Sequence, residues 1–334
     1  MSQPTLAFVG DLDSVSPWLL RSISACGTFE GICSDGGESA ASGFHVRWTF
    51  ADVDTLLKET EPNGVILAVP VANRAKTIKH CLAAGAGVLI PGVPGQASAC
   101  KRLSTLAKLS GRVVLAASPI RYSPAVGLAR RLLDSGQFGA PVSMTVHSTG
   151  RSHRRSEPGD DGPVSIDQIF EAVDLIQHLI GPIERVFAVS HDDGATVATA
   201  STAAGVPVSL VLHPYGPAES VGIRIEMRAI DGDRLEIDGD GRMLCGGGSK
   251  IHASRRGALA TTDPAVELGD HGLIAEFVRC LEASRSGPGL IGPAASVSAT
   301  AEALLASIGA GRPIVPKPAQ KTSKTTAKRT LELA

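Results

Sequence analysis

From Leu6 to Leu115, short apolar runs alternate with segments of helical periodicity. No other feature limits the fold as much. Runs that are apolar throughout suit strands buried on both faces, and such strands lie parallel and are joined by helical crossovers. LAFVG, FEGICSD, GVILAVP, GVLIPG and RVVLAAS are the expected strands. Between them, SPWLLRSISACG opens with Ser16 as N-cap and Pro17 at the first helical position, while NRAKTIKHCLAAG and ASACKRLSTLAKLSG each close at a C-cap glycine. The pattern predicts a Rossmann-like, doubly wound parallel sheet over 1–120, a nucleotide-binding architecture.

SPIRYSPAVGLARRLLDSGQFG reads as one long linking helix closed by a glycine turn, and the pattern changes at Pro141. PVSMTVHS, IERVFAVS, VPVSLVLHP, GIRIEMRAI and DRLEIDG follow with period two. Ile223, Ile225 and Met227 alternate with Arg224, Glu226 and Arg228 before an Asp-Gly hairpin turn. The expectation for 121–315 is an α+β domain with an open, mainly antiparallel sheet. GLIAEFVRCLEASRSG and PAASVSATAEALLASIGAG complete its core as helices. Residues 316–334, with KPAQKTSKTTAKRT, read as a basic flexible tail.

Composition narrows the function. Hydrophobic residues make up 43% and charged ones 19%, which excludes a disordered chain, and no apolar run reaches the roughly 20 residues of a membrane span. MSQPTLAFVGD has no basic n-region and is unlike a secretory signal, so a cytoplasmic protein is expected. Six cysteines without CxxC pairs or nearby histidines argue against disulfides and against a metal site. A net charge of -1 provides no field for nucleic acid or anionic lipid, so the expected partner is a small molecule.

Several stretches, in this order and spacing, resemble the glucose–fructose oxidoreductase/inositol dehydrogenase (Gfo/Idh/MocA) family: FEGICSD, EPNGVILAVPVANRAKTIKHCLAAGAGVLI, RYSPAVGLARRLLDSGQFGAPVS, SIDQIFEAVDLIQHLIGPIERV, IDGDRLEIDGDG and EALLASIGAGRPI. The resemblance runs from about Leu6 to Val315. It implies NAD or NADP as cofactor, a sugar or cyclitol as substrate, and a homo-oligomer built through the second sheet.

Against that family the site residues diverge. In FVGDLDSVSP, Gly10 holds the first fingerprint position, but Leu12 and Val15 replace the second and third glycines. A leucine side chain there is expected to block the pyrophosphate, and Asp11 and Asp13 repel it; the same acids also suit a helix N-terminus. Asp35 sits where the family's acid accepts from the adenosine ribose, and a turn aspartate before Gly36 and Gly37 is the other reading. Pro70 and Asn73, in AVPVAN, match the loop that passes the cofactor. After VLI the family carries Glu-Lys-Pro, whose lysine supplies a proton to the reacting oxygen. Here Gly92 or Val93 stands in its place.

The family's second signature is an Asp and a His four residues apart on one helix face. Asp167 matches the first, and Glu171 occupies the histidine position. Such a pair serves as an acid-base dyad or belongs to an ordinary amphipathic helix. Tyr122 is a candidate acid and Arg121 a substrate contact, matching an arginine-aromatic pair. Arg154 and Arg155, in GRSHRRSEPGDDG, either clamp an anionic substrate group or belong to a solvated loop. His147 and His178 read as structural. Two functions follow: a divergent NAD(P)-dependent oxidoreductase with eroded motifs, or a catalytically inactive pseudoenzyme serving as a small-molecule sensor or assembly subunit. A lyase or isomerase using the retained carboxylates is a third, weaker reading.

Overall fold

The protein is described here from a computed structural model, over residues 3–34, 46–150, 164–192, 194–214, 222–239, 242–247, 250–255, 264–283 and 291–316. Strands β1 (Thr5–Gly10), β2 (Thr28–Cys33), β3 (Trp48–Phe50), β4 (Gly64–Ala68), β5 (Gly87–Ile90) and β6 (Val114–Ala116) form a parallel sheet in the order β3-β2-β1-β4-β5-β6. That order places a topological switch point between β1 and β4, where open α/β sheets bind ligands. The apolar runs serve both faces. Leu6, Phe8, Ile66, Leu89 and Leu115 enter one core cluster, and Ala7, Val9, Val65, Leu67, Val88 and Ile90 enter another.

Helices α1 (Pro17–Cys26), α2 (Val53–Thr60), α3 (Val71–Ala83) and α4 (Ala97–Ser110) are the crossovers. Ser16 caps α1 by accepting from the Trp18 N–H at 3.2 Å, and α4 stops at Gly111 in the left-handed region, φ 66. The expected long linking helix is instead broken in two. A 3₁₀ turn over Pro119–Tyr122 is followed by α5 (Pro124–Asp134), because Pro124 has no N–H to continue the turn and Ser123 caps the new helix through the Val126 N–H.

The second sheet contains β7 (Pro141–Thr149), β8 (Ile183–Ser190), β9 (Thr196–Thr202), β10 (Pro207–His213), β11 (Gly222–Ala229), β12 (Arg234–Ile237), β13 (Met243–Gly247) and β14 (Lys250–Arg255). Their order is β14-β13-β12-β11-β7-β10-β9-β8, antiparallel except for β7 beside β10. Period two sorts its faces: Met144, Val146, Leu210, Ile225 and Met227 point inward, whereas His147, Arg224 and Arg228 are exposed on the other side. Asp231 and Gly232, with Gly232 at φ 90, make the hairpin between β11 and β12.

Helix α6 (Ile166–Ile180) packs on the inward face with α9 (Gly292–Ala310), and both share a core with one face of the first sheet. The late helix α8 (Asp270–Glu282), preceded by the short α7 (Pro264–Glu267), returns to the first sheet. Its Leu273, Ile274 and Phe277 cover that sheet's other face beside Leu19 and Ile23 of α1. Both faces of the first sheet are therefore buried, as its uniformly apolar strands require.

Candidate functional site

The chain just after β4, β5 and β6 meets α6 through Arg74, Val93 and Ser118. At β1, Gly10 lies opposite Ala68 of β4 with φ 136, and a Cβ there would overlap the Ala68 carbonyl. Glycine is therefore required by a close backbone approach within the sheet.

The loop after Gly10 occupies several of its own donors. The Asp11 N–H donates to Ala68 O at 3.1 Å, the Asp13 N–H to Asp11 Oδ1 at 3.1 Å, and the Ser14 N–H to Asp11 O at 3.2 Å. At the start of α1, Pro17 has no N–H, Trp18 donates to Ser16 Oγ and Leu19 to Ser16 O at 3.0 Å. A pyrophosphate bound at a helix N-terminus needs such groups free. Leu12 is placed differently from the sequence expectation. A 3₁₀ turn over Leu12–Ser14 rotates it inward, so it is 8% exposed, packs in the cluster with Phe8 and Leu19, and does not overhang the loop. What works against a pyrophosphate seated here is therefore the donors already taken, at Asp11, Asp13, Ser14, Trp18 and Leu19, together with two acids, rather than a leucine side chain.

At the end of β5 the chain turns at Gly92, whose N–H reaches Ile90 O at 2.9 Å with φ 149. Asp167, in the first turn of α6, comes down onto this turn. Its Oδ1 accepts from the Val93 N–H at 2.9 Å and from Arg74 Nη1 at 2.7 Å, and its Oδ2 accepts from Arg74 Nη2 at 2.7 Å. Arg74, on α3, is itself fixed: its Nε donates to Val69 O at 2.9 Å and its Nη1 to Val93 O at 2.5 Å. The guanidinium is thus tied to β4, β5 and α6 together. A Cβ on Gly92 would stand 2.6 Å from Asp167 Oδ1. The place from which the resembling family projects its lysine is filled here by an arginine-aspartate clasp.

Further along α6, Glu171 and Asp174 continue the same face at i+4 and i+7. Glu171 Oε1 accepts from Ser118 Oγ at 3.1 Å. Asp174 is buried and accepts from the Ser118 N–H at 3.1 Å and from Arg121 Nη1 at 2.9 Å. Burial raises the Asp174 pKa, opposed by the Arg121 charge and the Ser118 hydrogen bond. Ser118 and Arg121 stand just after β6, so the second acid and the third are both joined to the first domain. Gln168 anchors the opposite side of the helix, donating to Ser148 O at 3.1 Å and to His213 O at 3.0 Å.

Asp167 lies against Gly92, while Glu171 and Arg121 are held one turn further along through Ser118 and Asp174. Tyr122 is not with them. Its ring packs with Cys26 and Leu281 against the cluster on the far face of the first sheet, whereas α6 packs on the near face. Burial, with Glu276 and Asp174 adding and Arg121 opposing, pushes its phenol up to about 12, which makes it a poor acid at neutral pH. Pro70 is the exposed N-cap of α3, and its carbonyl accepts the Asn73 N–H at 2.9 Å. Asp35, Arg154 and Arg155 lie outside the described residues. Arg74 and Ser118 were missed by sequence reasoning. The only trace of Arg74 was a basic residue inside the AVPVAN-helix match, and Ser118 carried no signal beyond following a strand.

Among the described residues no cluster of metal-ligating side chains occurs, and no helix is long and apolar enough to cross a membrane. No protein-family model matches the sequence, and no curated protein matches it. Solved structures do match in fold. Levoglucosan dehydrogenase in complex with NADH and L-sorbose superposes with a TM-score of 0.79 at 14% identity, covering 95% of this chain and 100% of that one. An oxidoreductase from Agrobacterium radiobacter in complex with NAD+, L-tartaric acid and magnesium gives 0.77 at 12% identity, covering 94% and 98%. An oxidoreductase domain protein from Kribbella flavida gives 0.79 at 16%, covering 95% and 100%. The α/β fold, a parallel sheet plus a second mixed sheet with helices, is shared with these oxidoreductases.

Proposed function

We propose that the chain is an oxidoreductase-like protein of the sugar and cyclitol dehydrogenase type whose cleft no longer performs nicotinamide-dependent hydride transfer. It acts as a binding protein for a small polyol-like molecule. The scaffold supports the class, since the matching structures span nearly the whole chain and several hold NAD or NADH. The reading that activity is lost rests on the arginine-aspartate clasp over Gly92. The clasp occupies the position of a proton donor with a guanidinium, which does not release its proton at physiological pH. The spent donors after β1 support the same reading. Six free cysteines suit a reducing cytoplasm.

A second reading is favoured by one observation, the Ser118–Glu171 hydrogen bond at the cleft. It gives an active NAD(P)-linked dehydrogenase a carboxylate base where the family has histidine. Cofactor titration separates the two. NADH and NADPH fluorescence is followed on the purified protein, then turnover of a panel of sugars, cyclitols and polyols. The proposal expects no saturable binding at millimolar cofactor and no turnover; binding accompanied by oxidation of any panel member establishes the dehydrogenase instead.

A further inference from the structure

The outer face of the second sheet, remote from α6, holds a cavity of about 340 Å³. It exists because two strand ends carry no side chain. Gly222 opens β11 and Gly239 follows β12, and a Cβ on Gly222 would lie 3.2 Å from the Gly239 Cα. His147 of β7 and Arg224 of β11 line the cavity directly opposite each other in the strand register, and both are exposed. Among the described residues neither has an ion pair or a side-chain hydrogen bond.

The cavity's acid is already committed. Glu226 accepts from Arg228 and Arg234, each at 3.0 Å, and Arg234 also bridges to Glu236. Three arginines thus face two glutamates, and Arg224 is the one left over, with an imidazole beside it. An imidazole N–H and a guanidinium lining one space both donate to an acceptor placed between them. Thr145 and Thr149 add hydroxyl donors to the same lining. A lining rich in donors, with its acid neutralised, suits neither a metal ion nor an apolar ligand.

We propose that this cavity binds the oxyanion of a small molecule, a phosphate or carboxylate group, with the Arg224 fork on two oxygens and His147 on a third. The site is separate from the cleft, on the opposite side of the sheet, and does not depend on what the cleft does. Isothermal titration of the full chain at low salt with inorganic phosphate, and separately with malonate, tests it. Saturable binding of either is expected, and whichever binds assigns the group. Arg224→Gln weakens it by about tenfold or more, and His147→Asn weakens it independently. Arg185→Gln, an exposed cation on the same face outside the cavity, leaves it unchanged. Light scattering on each variant separates lost binding from altered assembly. No binding of either anion at millimolar concentration overturns the proposal. So does binding that survives both cavity variants, or that falls equally in Arg185→Gln, which would mark a diffuse charge effect.

Discussion

A guanidinium keeps its proton at any pH where proteins fold, so Arg74 orders the cleft floor without serving as an acid. Its side chain is 11% exposed while that of Asp167 is 40% exposed, so the pair is only partly shielded and solvent takes over some of what Asp167 loses when Arg74 is removed. Arg74→Met is expected to destabilise the fold by about 1–2 kcal/mol in urea unfolding, and Asp167→Asn by a similar amount. The double variant should fall short of their sum by about 1 kcal/mol, since both lose one interaction. Additive losses would show that the clasp contributes nothing. The sequence disclosed the missing lysine but not its replacement, because Arg74 and Asp167 are 93 positions apart and helical spacing reports only neighbours on one element. Gly10 was legible from its place after a strand. The inward turn of Leu12 was not, since a 3₁₀ turn of three residues leaves no periodicity to read.

At the scale of elements, uniformly apolar strands and capped helices were legible, and strands whose inner residues are small were not. β9 buries Thr196, Ala198, Ala200 and Thr202, an alternation in which both faces look alike in the sequence. β3 is a three-residue edge strand with an exposed Trp48, and β13 ends in glycines. Helix α6 runs between caps at Ser165 and Gly181. Its last turn holds His178, whose imidazole is pushed down to about 4 by burial first and then by Arg121 and Arg130, against Asp134. A base with a depressed folded pKa favours the fold fully above its unfolded value of 6.5, and that contribution is lost as pH falls toward about 4. The protein should therefore lose stability over this window, and His178→Gln should reduce the loss. Parallel urea midpoints for the two proteins from neutral pH down to about 4 check this; identical slopes would place the acid sensitivity elsewhere.

At the scale of the whole molecule, the two sheets share one core through α6 and α9, while among the described residues no helix packs on the outer face of the second sheet. Its two ends differ. β11 and β12 carry the arginine-glutamate network, whereas Val189, Val197 and Val211 lie side by side across β8, β9 and β10 in a single row. Val189 and Val197, on the edge strand and its neighbour, are 50% and 48% exposed, large for β-branched residues facing water. We propose that a second copy of the chain covers this row, in a two-fold arrangement where each valine row meets its own equivalent. A single charge placed there is then buried against a like charge from the other copy, so Val197→Glu should reduce the mass in multi-angle light scattering to that of one chain, 34.3 kDa, without lowering the unfolding temperature of the separated chain. A wild-type mass already equal to one chain at micromolar concentration, or an unchanged larger mass in the variant, removes this face from the assembly and leaves the valine row as exposed sheet.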